Sequence, residues 1–177
     1  MDIEHTFIYD LVRAVHLPVY AEIGTEYGKS LEAAVKAKPG RIIAIDPGHK
    51  SKTMKRFPDV EYLHMTSDRA VKHLKHNGIK PSGIYIDGDH RYPTVGRDIR
   101  HYWELWDHSG FFGGHDFLIN KYKKFYVVQA VTNFFGIKDT FKIDRRYKCR
   151  DGVLHIIGKI WFYIENKAYE PLIGRYL

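Results

Sequence analysis

The sequence predicts an α/β protein built around one open, mostly parallel, doubly wound sheet. Short strand-like segments alternate with segments of helical spacing along most of the 177 residues, the pattern of parallel strands joined by crossover helices. The run Val19–Ile23 passes through Gly24 and Gly28 into a segment of helix-forming composition, as in the first unit of such a sheet. Residues 41–46 are almost wholly apolar until the final acid, which is typical of a parallel strand buried on both faces.

The remaining elements follow from spacing and from the residues that end them. Residues 4–15 have helical apolar spacing and are expected to cover one edge of the sheet. The helix at 30–37 ends at a Lys-Pro-Gly sequence. Further strands are predicted at 60–65, 83–87 and 109–114, and further helices at 66–77, around 95–106 and at 126–135. The tail 140–166 is interpreted as two strands that pair as an antiparallel edge.

Composition favours a single packed domain over residues 1–177. Hydrophobic residues make up 44% and aromatic residues 15% of a chain that is short for two domains. The net charge of +7 suits a phosphate-bearing or acidic partner and equally suits solubility alone. The single cysteine, Cys149, excludes an internal disulfide framework and fits a reducing compartment. No apolar run approaches the ~18–20 residues of a membrane span, and the acidic N-terminus lacks a signal peptide's basic start. We therefore expect a cytoplasmic protein with no membrane partner.

The glycine turn after the first strand favours a nucleoside site over a dinucleotide site. A dinucleotide fingerprint needs G-x-G-x-x-G, whereas Gly24 and Gly28 are four residues apart and Tyr27 stands where backbone clearance is required. Glu22, beside the two glycines, suits a ligand with a cationic amino group. Asp46 lies about twenty residues after the turn, where an acid accepts hydrogen bonds from ribose hydroxyls. Either acid by itself could equally be a polar residue that ends a strand. The nucleoside interpretation therefore depends on the two acids occurring together.

The segment Glu22-Ile23-Gly24-Thr25-Glu26-Tyr27-Gly28 resembles the first motif of the class I S-adenosylmethionine-dependent methyltransferases, and Asp46 resembles the acid of their second motif. The resemblance spans nearly the whole chain. It implies a Rossmann-like sheet of seven strands, the last of them antiparallel, with S-adenosylmethionine as cofactor. The residues expected to bind that cofactor are Glu22, Gly24, Tyr27, Gly28, Ser30, Asp46, Ser67 and Asp87.

A second group of polar side chains follows two neighbouring predicted strands. Asp87, Asp89 and His90 come after one strand, and His115 and Asp116 after the next. Because parallel strands end at the same edge of a sheet, these side chains can converge on one point. Carboxylates and a histidine around one point favour a divalent cation, which would hold two oxygens of a diol and acidify the attacking hydroxyl.

This second group is similar to that of metal-dependent O-methyltransferases of sugars and other small molecules, on the pattern Ile-Asp-Gly-Asp-His-x-Tyr and Gly-Gly-His-Asp-Phe. The resemblance implies that Asp87, His115 and Asp116 bind Mg²⁺ or Mn²⁺ and that His90 is the general base. The family more often has an acid at the position of His115. That departure is consistent with a softer metal or with no metal at all. A structural hydrogen bond from His90 and a helix cap at Asp89 are the alternatives for those residues.

The expected function is methylation of a hydroxyl on a sugar or other small molecule. Two alternatives stay open. Bases interleaved with aromatics at 121–125 and 145–150 favour a nucleic-acid methyltransferase. The short segment before the first strand, about eighteen residues, favours a non-catalytic binding module, or a pocket completed by a second subunit in a homo-oligomer.

Overall fold

The computed structural model describes residues 3–48, 50–117, 126–138, 146–149, 152–165 and 169–176. Within these ranges the chain forms an eight-stranded sheet with helices on both faces. The strands are β1 (Val19–Ile23), β2 (Arg41–Ile45), β3 (Glu61–Leu63), β4 (Gly83–Ile86), β5 (Phe111–Gly114), β6 (Arg146–Cys149), β7 (Gly152–Ile157) and β8 (Ile160–Ile164). The helices are α1 (Ile3–Val15), α2 (Lys29–Ala37), α3 (Ser51–Arg56), α4 (Ser67–His76), α5 (Tyr92–Leu105), α6 (Tyr126–Phe135) and α7 (Glu170–Ile173).

The strand order is β3-β2-β1-β4-β5-β8-β7-β6. Strands β1 to β5 are parallel, and β8, β7 and β6 continue the sheet through antiparallel pairs. The predicted doubly wound α/β class is therefore confirmed, including the antiparallel last strand beside β5. The described sheet has one strand more than the seven that the resemblance implies. The additional strand is β6, which lies at the outer edge of the tail, where the sequence predicts only two strands.

Clusters of buried hydrophobic residues cover both faces of the sheet. On one face, α1, α2 and α7 pack against strand residues that include Tyr20, Tyr85 and Phe162. The ring centroids of Phe7 and Phe162 lie 4.6 Å apart, so α1 covers this face. The expectation that this helix covers an edge of the sheet is wrong. On the other face, α4, α5 and α6 pack against alternate residues of the same strands. No helix in the described part of the chain is long and apolar enough to cross a membrane.

Backbone hydrogen bonds fix the loops at the carboxyl edge of the sheet. The N–H of Gly24 donates to the carbonyl of Ile45 at 2.8 Å, and the N–H of Asp87 donates to the carbonyl of Ile23 at 2.7 Å. The N–H of His115 donates to the carbonyl of Ile86 at 3.0 Å. The loops after β1, β2, β4 and β5 therefore meet side by side at the point where strand order reverses, which is where ligands bind in open α/β sheets.

Candidate functional site

A cavity of about 740 Å³ opens at the carboxyl ends of β1, β2 and β4. Its volume lies within the range of small-molecule sites. The lining comes from the loop after β1, the end of β2, the start of α4, the loop after β4 and the first turns of α5. Most of the predicted cofactor-binding residues line it, namely Gly24, Tyr27, Gly28, Ser30, Asp46, Ser67 and Asp87.

The two glycines allow the loop after β1 to lie directly against its neighbours. Gly24 has φ +84°, and a Cβ there would lie 2.2 Å from the carbonyl oxygen of Asp87. Gly28 has φ +70° and is the N-cap residue of α2. A Cβ at Gly28 would lie 2.7 Å from Cγ2 of Thr53. Both positions therefore require glycine for backbone conformation and for close approach.

Asp46 holds the same loop in place. Its Oδ2 accepts hydrogen bonds from the backbone N–H groups of Thr25 at 3.0 Å and Glu26 at 3.1 Å. Its Oδ1 accepts from the N–H of Gly48 at 2.7 Å. The sequence predicts a ribose-binding role for this acid but not its contacts with the loop backbone. Asp46 thus links the end of β2 to the loop that lines the cavity.

Glu22 differs from the expectation that it meets a cationic group directly, because it does not line the cavity. Its side chain is fully buried, and its carboxylate accepts hydrogen bonds from the Tyr20 hydroxyl at 2.8 Å and the Ser30 hydroxyl at 2.9 Å. Burial raises the pKa of Glu22 to about 8, although the hydrogen bonds from Tyr20 and Ser30 act in the opposite direction. Glu22 is therefore linked to the cavity through Ser30, a lining residue whose hydroxyl it holds.

Asp98 is a lining residue that the sequence analysis misses. It lies on the buried face of α5 and is 2% exposed. Its Oδ1 accepts a hydrogen bond from the Ser67 hydroxyl at 2.7 Å, and burial raises the pKa of Asp98 to about 6. The signal in the sequence is an acid at helical spacing from the apolar residues Val95 and Tyr102.

The second predicted group also converges. Asp87, His90 and Asp116 each offer a ligand atom within 4.8 Å of the others. His90 lies between the two acids, with Nδ1 at 2.9 Å from Oδ2 of Asp116 and Nε2 at 3.3 Å from Oδ1 of Asp87. We refer to Asp87 and Asp116 as the acid pair. His90 is thus placed where it could also be a ligand, whereas the sequence predicts a general base or a structural hydrogen bond at this position.

His115 contacts the acid pair from another side. Its Nδ1 lies 3.1 Å from Oδ1 of Asp116 and 3.6 Å from Oδ1 of Asp87. Its Nε2 lies 3.2 Å from Oε2 of Glu4, a residue of α1. The predicted ligands Asp87, His115 and Asp116 are therefore brought together, and Glu4 joins them from 111 residues away in the chain.

The acid pair keeps both histidines charged at neutral pH. Hydrogen bonds with Asp116 and Asp87 raise the pKa of His90 to about 10, although burial lowers it. Burial also lowers the pKa of His115, but Asp116, Asp87 and Glu4 outweigh it and the net pKa is about 9. The same contacts hold the pKa of Asp116 well below its usual range. A general base must be neutral before it accepts a proton, so these contacts oppose the expected role of His90.

The sequence also singles out Asp89 and two basic segments. The expected helix cap at Asp89 is wrong, because the N-cap residue of α5 is Arg91, whose side chain makes no capping hydrogen bond. Asp89 instead accepts hydrogen bonds from the backbone N–H of Arg91 at 3.0 Å and from the Thr94 hydroxyl at 3.1 Å. The basic segment 121–125 lies outside the described residues. In the second basic segment, residues 146–149 form β6, and residues 145 and 150 lie outside the described ranges.

Comparison with known proteins bears on the same region. The sequence model of a family described as a methyltransferase domain matches residues 21–117. No curated protein sequence matches the chain.

Several solved structures share the fold. One is an O-methyltransferase from Bacillus cereus in complex with S-adenosylhomocysteine (SAH), at 15% identity and TM-score 0.65, covering 93% of this chain and 81% of that one. A TDP-rhamnose 3′-O-methyltransferase of calicheamicin biosynthesis has 12% identity and TM-score 0.66, covering 91% and 78%. A methyltransferase of the mycinamycin pathway, solved with Mg, SAH and mycinamycin VI, has 11% identity and TM-score 0.62, covering 91% of this chain and 48% of that one.

Proposed function

The chain belongs to the methyltransferase-domain family, and from this premise we propose that it transfers the methyl group of S-adenosylmethionine to a hydroxyl oxygen of a small molecule, specifically a sugar or a related diol. The acid pair, His90 and His115 are together called the acid–histidine group. The family match over residues 21–117 includes both the cavity and this group. One observation carries the proposal: Asp87 and His90 line the cavity and also belong to the acid–histidine group. A cofactor in the cavity and an acceptor at the acid pair would therefore be neighbours.

The residues around the cavity fit the cofactor. Asp46 stands at the end of β2, where an acid meets ribose hydroxyls, and the loop from Gly24 to Gly28 offers bare backbone beside it. Thr25 is 4% exposed, lines the cavity, and its Oγ1 has no hydrogen-bond partner within the described part of the chain. A buried hydroxyl of this kind is expected to gain a partner when ligand binds. The bound cofactor supplies an electrophilic methyl carbon and a thioether leaving group.

The acid–histidine group fits a divalent cation. Asp87, His90 and Asp116 place two carboxylate oxygens and one imidazole nitrogen within 4.8 Å of one another, an accepted donor set for such ions. Asp87 and Asp116 would be the anionic ligands, with His115, which contacts both acids, adding nitrogen and His90 left to act as the base. A cation held there would lower the pKa of an acceptor hydroxyl and orient a diol. The mycinamycin-pathway structure, which was solved with Mg, is consistent with this part of the proposal.

The proposed role of His90 as base is tied to the charge of the acid pair. The reaction releases one proton from the acceptor hydroxyl, and an imidazolium cannot accept it. Because hydrogen bonds with Asp116 and Asp87 raise the pKa of His90 to about 10, the ring becomes a base only when another cation takes up those carboxylates. We therefore expect His90 to act in proton transfer only in the metal-loaded protein.

The experiment is a transfer assay with S-adenosylmethionine and a panel of nucleotide sugars, free sugars and catechol-like diols, read by mass spectrometry. Formation of SAH together with a methylated acceptor, stimulated by Mn²⁺ or Mg²⁺ and abolished by His90→Asn, is the expected result. His76→Asn, on an exposed face of α4, is the matched control. Absence of SAH with every acceptor and metal would contradict the proposal.

Neither nucleic-acid methylation nor a non-catalytic module is favoured by the family match or by the named structures. Oligonucleotides belong in the same panel, since methylation of RNA in preference to sugars would replace the proposed acceptor class without removing the enzyme class.

A further inference from the structure

Helix α1 brings one carboxylate to the acid–histidine group. Glu4 Oε1 accepts a hydrogen bond from the N–H of Lys159, in the turn between β7 and β8, at 2.8 Å. Gly158 in that turn has φ +58°, and a Cβ there would lie 2.8 Å from the same oxygen. The turn is therefore shaped to receive the carboxylate of Glu4, whose side chain is only 19% exposed.

The other oxygen of Glu4 meets His115. Its Oε2 lies 3.2 Å from Nε2 of the ring, while Nδ1 on the opposite side of the ring faces the acid pair. Glu4, the imidazole and the acid pair therefore form a continuous row. In metalloproteins a histidine ligand commonly donates its second ring N–H to a carboxylate, which fixes the orientation of the ring.

We propose that Glu4 is a positioning residue of the candidate metal site, which holds His115 with Nδ1 facing the acid pair and so gives the site a preference for Mn²⁺ and Co²⁺ over Mg²⁺. This inference rests on the proposed function, because it assumes a cation at the acid pair. A metal ligand must give up its proton to the bound ion, so ligation through Nδ1 leaves Nε2 as the ring atom that donates to Glu4.

The preference follows from donor chemistry. Mg²⁺ prefers oxygen ligands and near-ideal octahedral geometry, whereas imidazole suits first-row transition metals. Oxygen donors alone would suit Mg²⁺, whereas the imidazole of His115 contacts both acids and is oriented by the carboxylate of Glu4. The nitrogen donor and the residue that orients it therefore both favour a transition metal.

The test measures metal binding directly, by calorimetric titration of metal-free protein with MnCl₂ and MgCl₂ and by the visible absorption of Co²⁺. The wild type is expected to bind Mn²⁺ at least about tenfold more tightly than Mg²⁺. Glu4→Ala is expected to weaken Mn²⁺ binding about 10–100-fold, as for other residues that orient a ligand, and to weaken Mg²⁺ binding less. Glu4→Gln should keep most of the affinity, because its amide oxygen still accepts from Nε2. His115→Asp should lose the preference for Mn²⁺ and change the Co²⁺ spectrum.

Controls separate the possible roles of Glu4. Glu104→Ala removes an acid whose side chain is 65% exposed on α5 and should change neither affinity nor preference. If Glu4 serves only to dock α1, Glu4→Ala would lower the melting temperature while the ratio of the Mn²⁺ and Mg²⁺ affinities stays at the wild-type value, and the inference would be overturned. Equal wild-type affinities for the two metals, or no metal binding, would also overturn it.

Titration of the same samples with S-adenosylmethionine keeps this inference apart from the proposed function. If the wild type binds S-adenosylmethionine but shows no preference for Mn²⁺, only the role proposed for Glu4 is contradicted. If the wild type does not bind S-adenosylmethionine, the proposed function itself is contradicted.

Discussion

Replacement of Gly24 by alanine tests whether the loop after β1 is built against the end of β4. A Cβ at this position would lie 2.2 Å from the carbonyl oxygen of Asp87 and 2.5 Å from Cα of Gly88. These neighbours are backbone atoms directly after β4, where the N–H of Asp87 donates to the carbonyl of Ile23 at 2.7 Å, so they cannot move aside as a flexible side chain would. The substitution must therefore shift the loop or the strand.

The magnitude has two parts. Alanine at φ +84° costs about 1–2 kcal/mol for backbone conformation. Overpacking against fixed atoms adds about 1–3 kcal/mol. Together they are a large fraction of the 5–15 kcal/mol by which a domain is typically stable.

Gly78→Ala is the matched control. Gly78 has φ +65°, and a Cβ there would meet no atom within 4 Å. Gly78→Ala has the same conformational cost but no steric overlap. The difference in free energy of unfolding between the two variants therefore isolates the overlap with Asp87 and Gly88.

Urea denaturation gives the free energy of unfolding of both variants, and calorimetry gives their affinity for S-adenosylmethionine. We expect Gly24→Ala to be about 1–3 kcal/mol less stable than Gly78→Ala and to bind the cofactor at least about tenfold more weakly, since one tenfold step corresponds to about 1.4 kcal/mol. Equal destabilisation by the two substitutions, with unchanged affinity, would refute the described packing of Gly24 on Asp87.

Two further substitutions address the acids of the cavity. Asp46→Asn removes the charge that accepts three backbone N–H groups, so calorimetry should show cofactor affinity reduced about tenfold or more. The exposed control Asp59→Asn should bind the cofactor as the wild type does. Equal affinities for the two variants would contradict the role of Asp46. Glu22→Gln removes a buried acid whose pKa is about 8 when folded and near 4.5 when unfolded. Because the folded wild type binds more protons between these values, its stability should fall as pH rises from 5 to 7.5, by up to about 3 kcal/mol relative to Glu22→Gln. Urea midpoints that change in parallel for the two proteins would contradict the raised pKa.

The parts of the site that depend on strand order are predictable from sequence. The apolar strands and their alternation with helices imply that parallel strands end at one edge. This shared edge brings Asp87 close to Asp116. It also brings Gly24 close to Asp46. The partner of Glu22 was also visible in principle, since Tyr20 lies two residues earlier in the same strand and shares its face.

Features that depend on long-range packing are not predictable in this way. Glu4 reaches His115 only because α1 packs on a face of the sheet, and a sequence separation of 111 residues gives no local signal. The charge state of His90 depends on two carboxylates that approach from different loops. The edge strand β6 has only four residues with little apolar alternation, so the sheet is one strand wider than expected within the described ranges.

The most direct test of the central claim is calorimetric titration of S-adenosylmethionine into the purified protein, with and without Mn²⁺, for the wild type, Asp46→Ala and Asp87→Ala. A cofactor bound in the cavity with a separate cation site predicts one bound cofactor per chain, loss of binding in Asp46→Ala, and retained cofactor binding with loss of Mn²⁺ binding in Asp87→Ala. Absence of binding to the wild type under every condition would contradict the assignment of the cavity to S-adenosylmethionine.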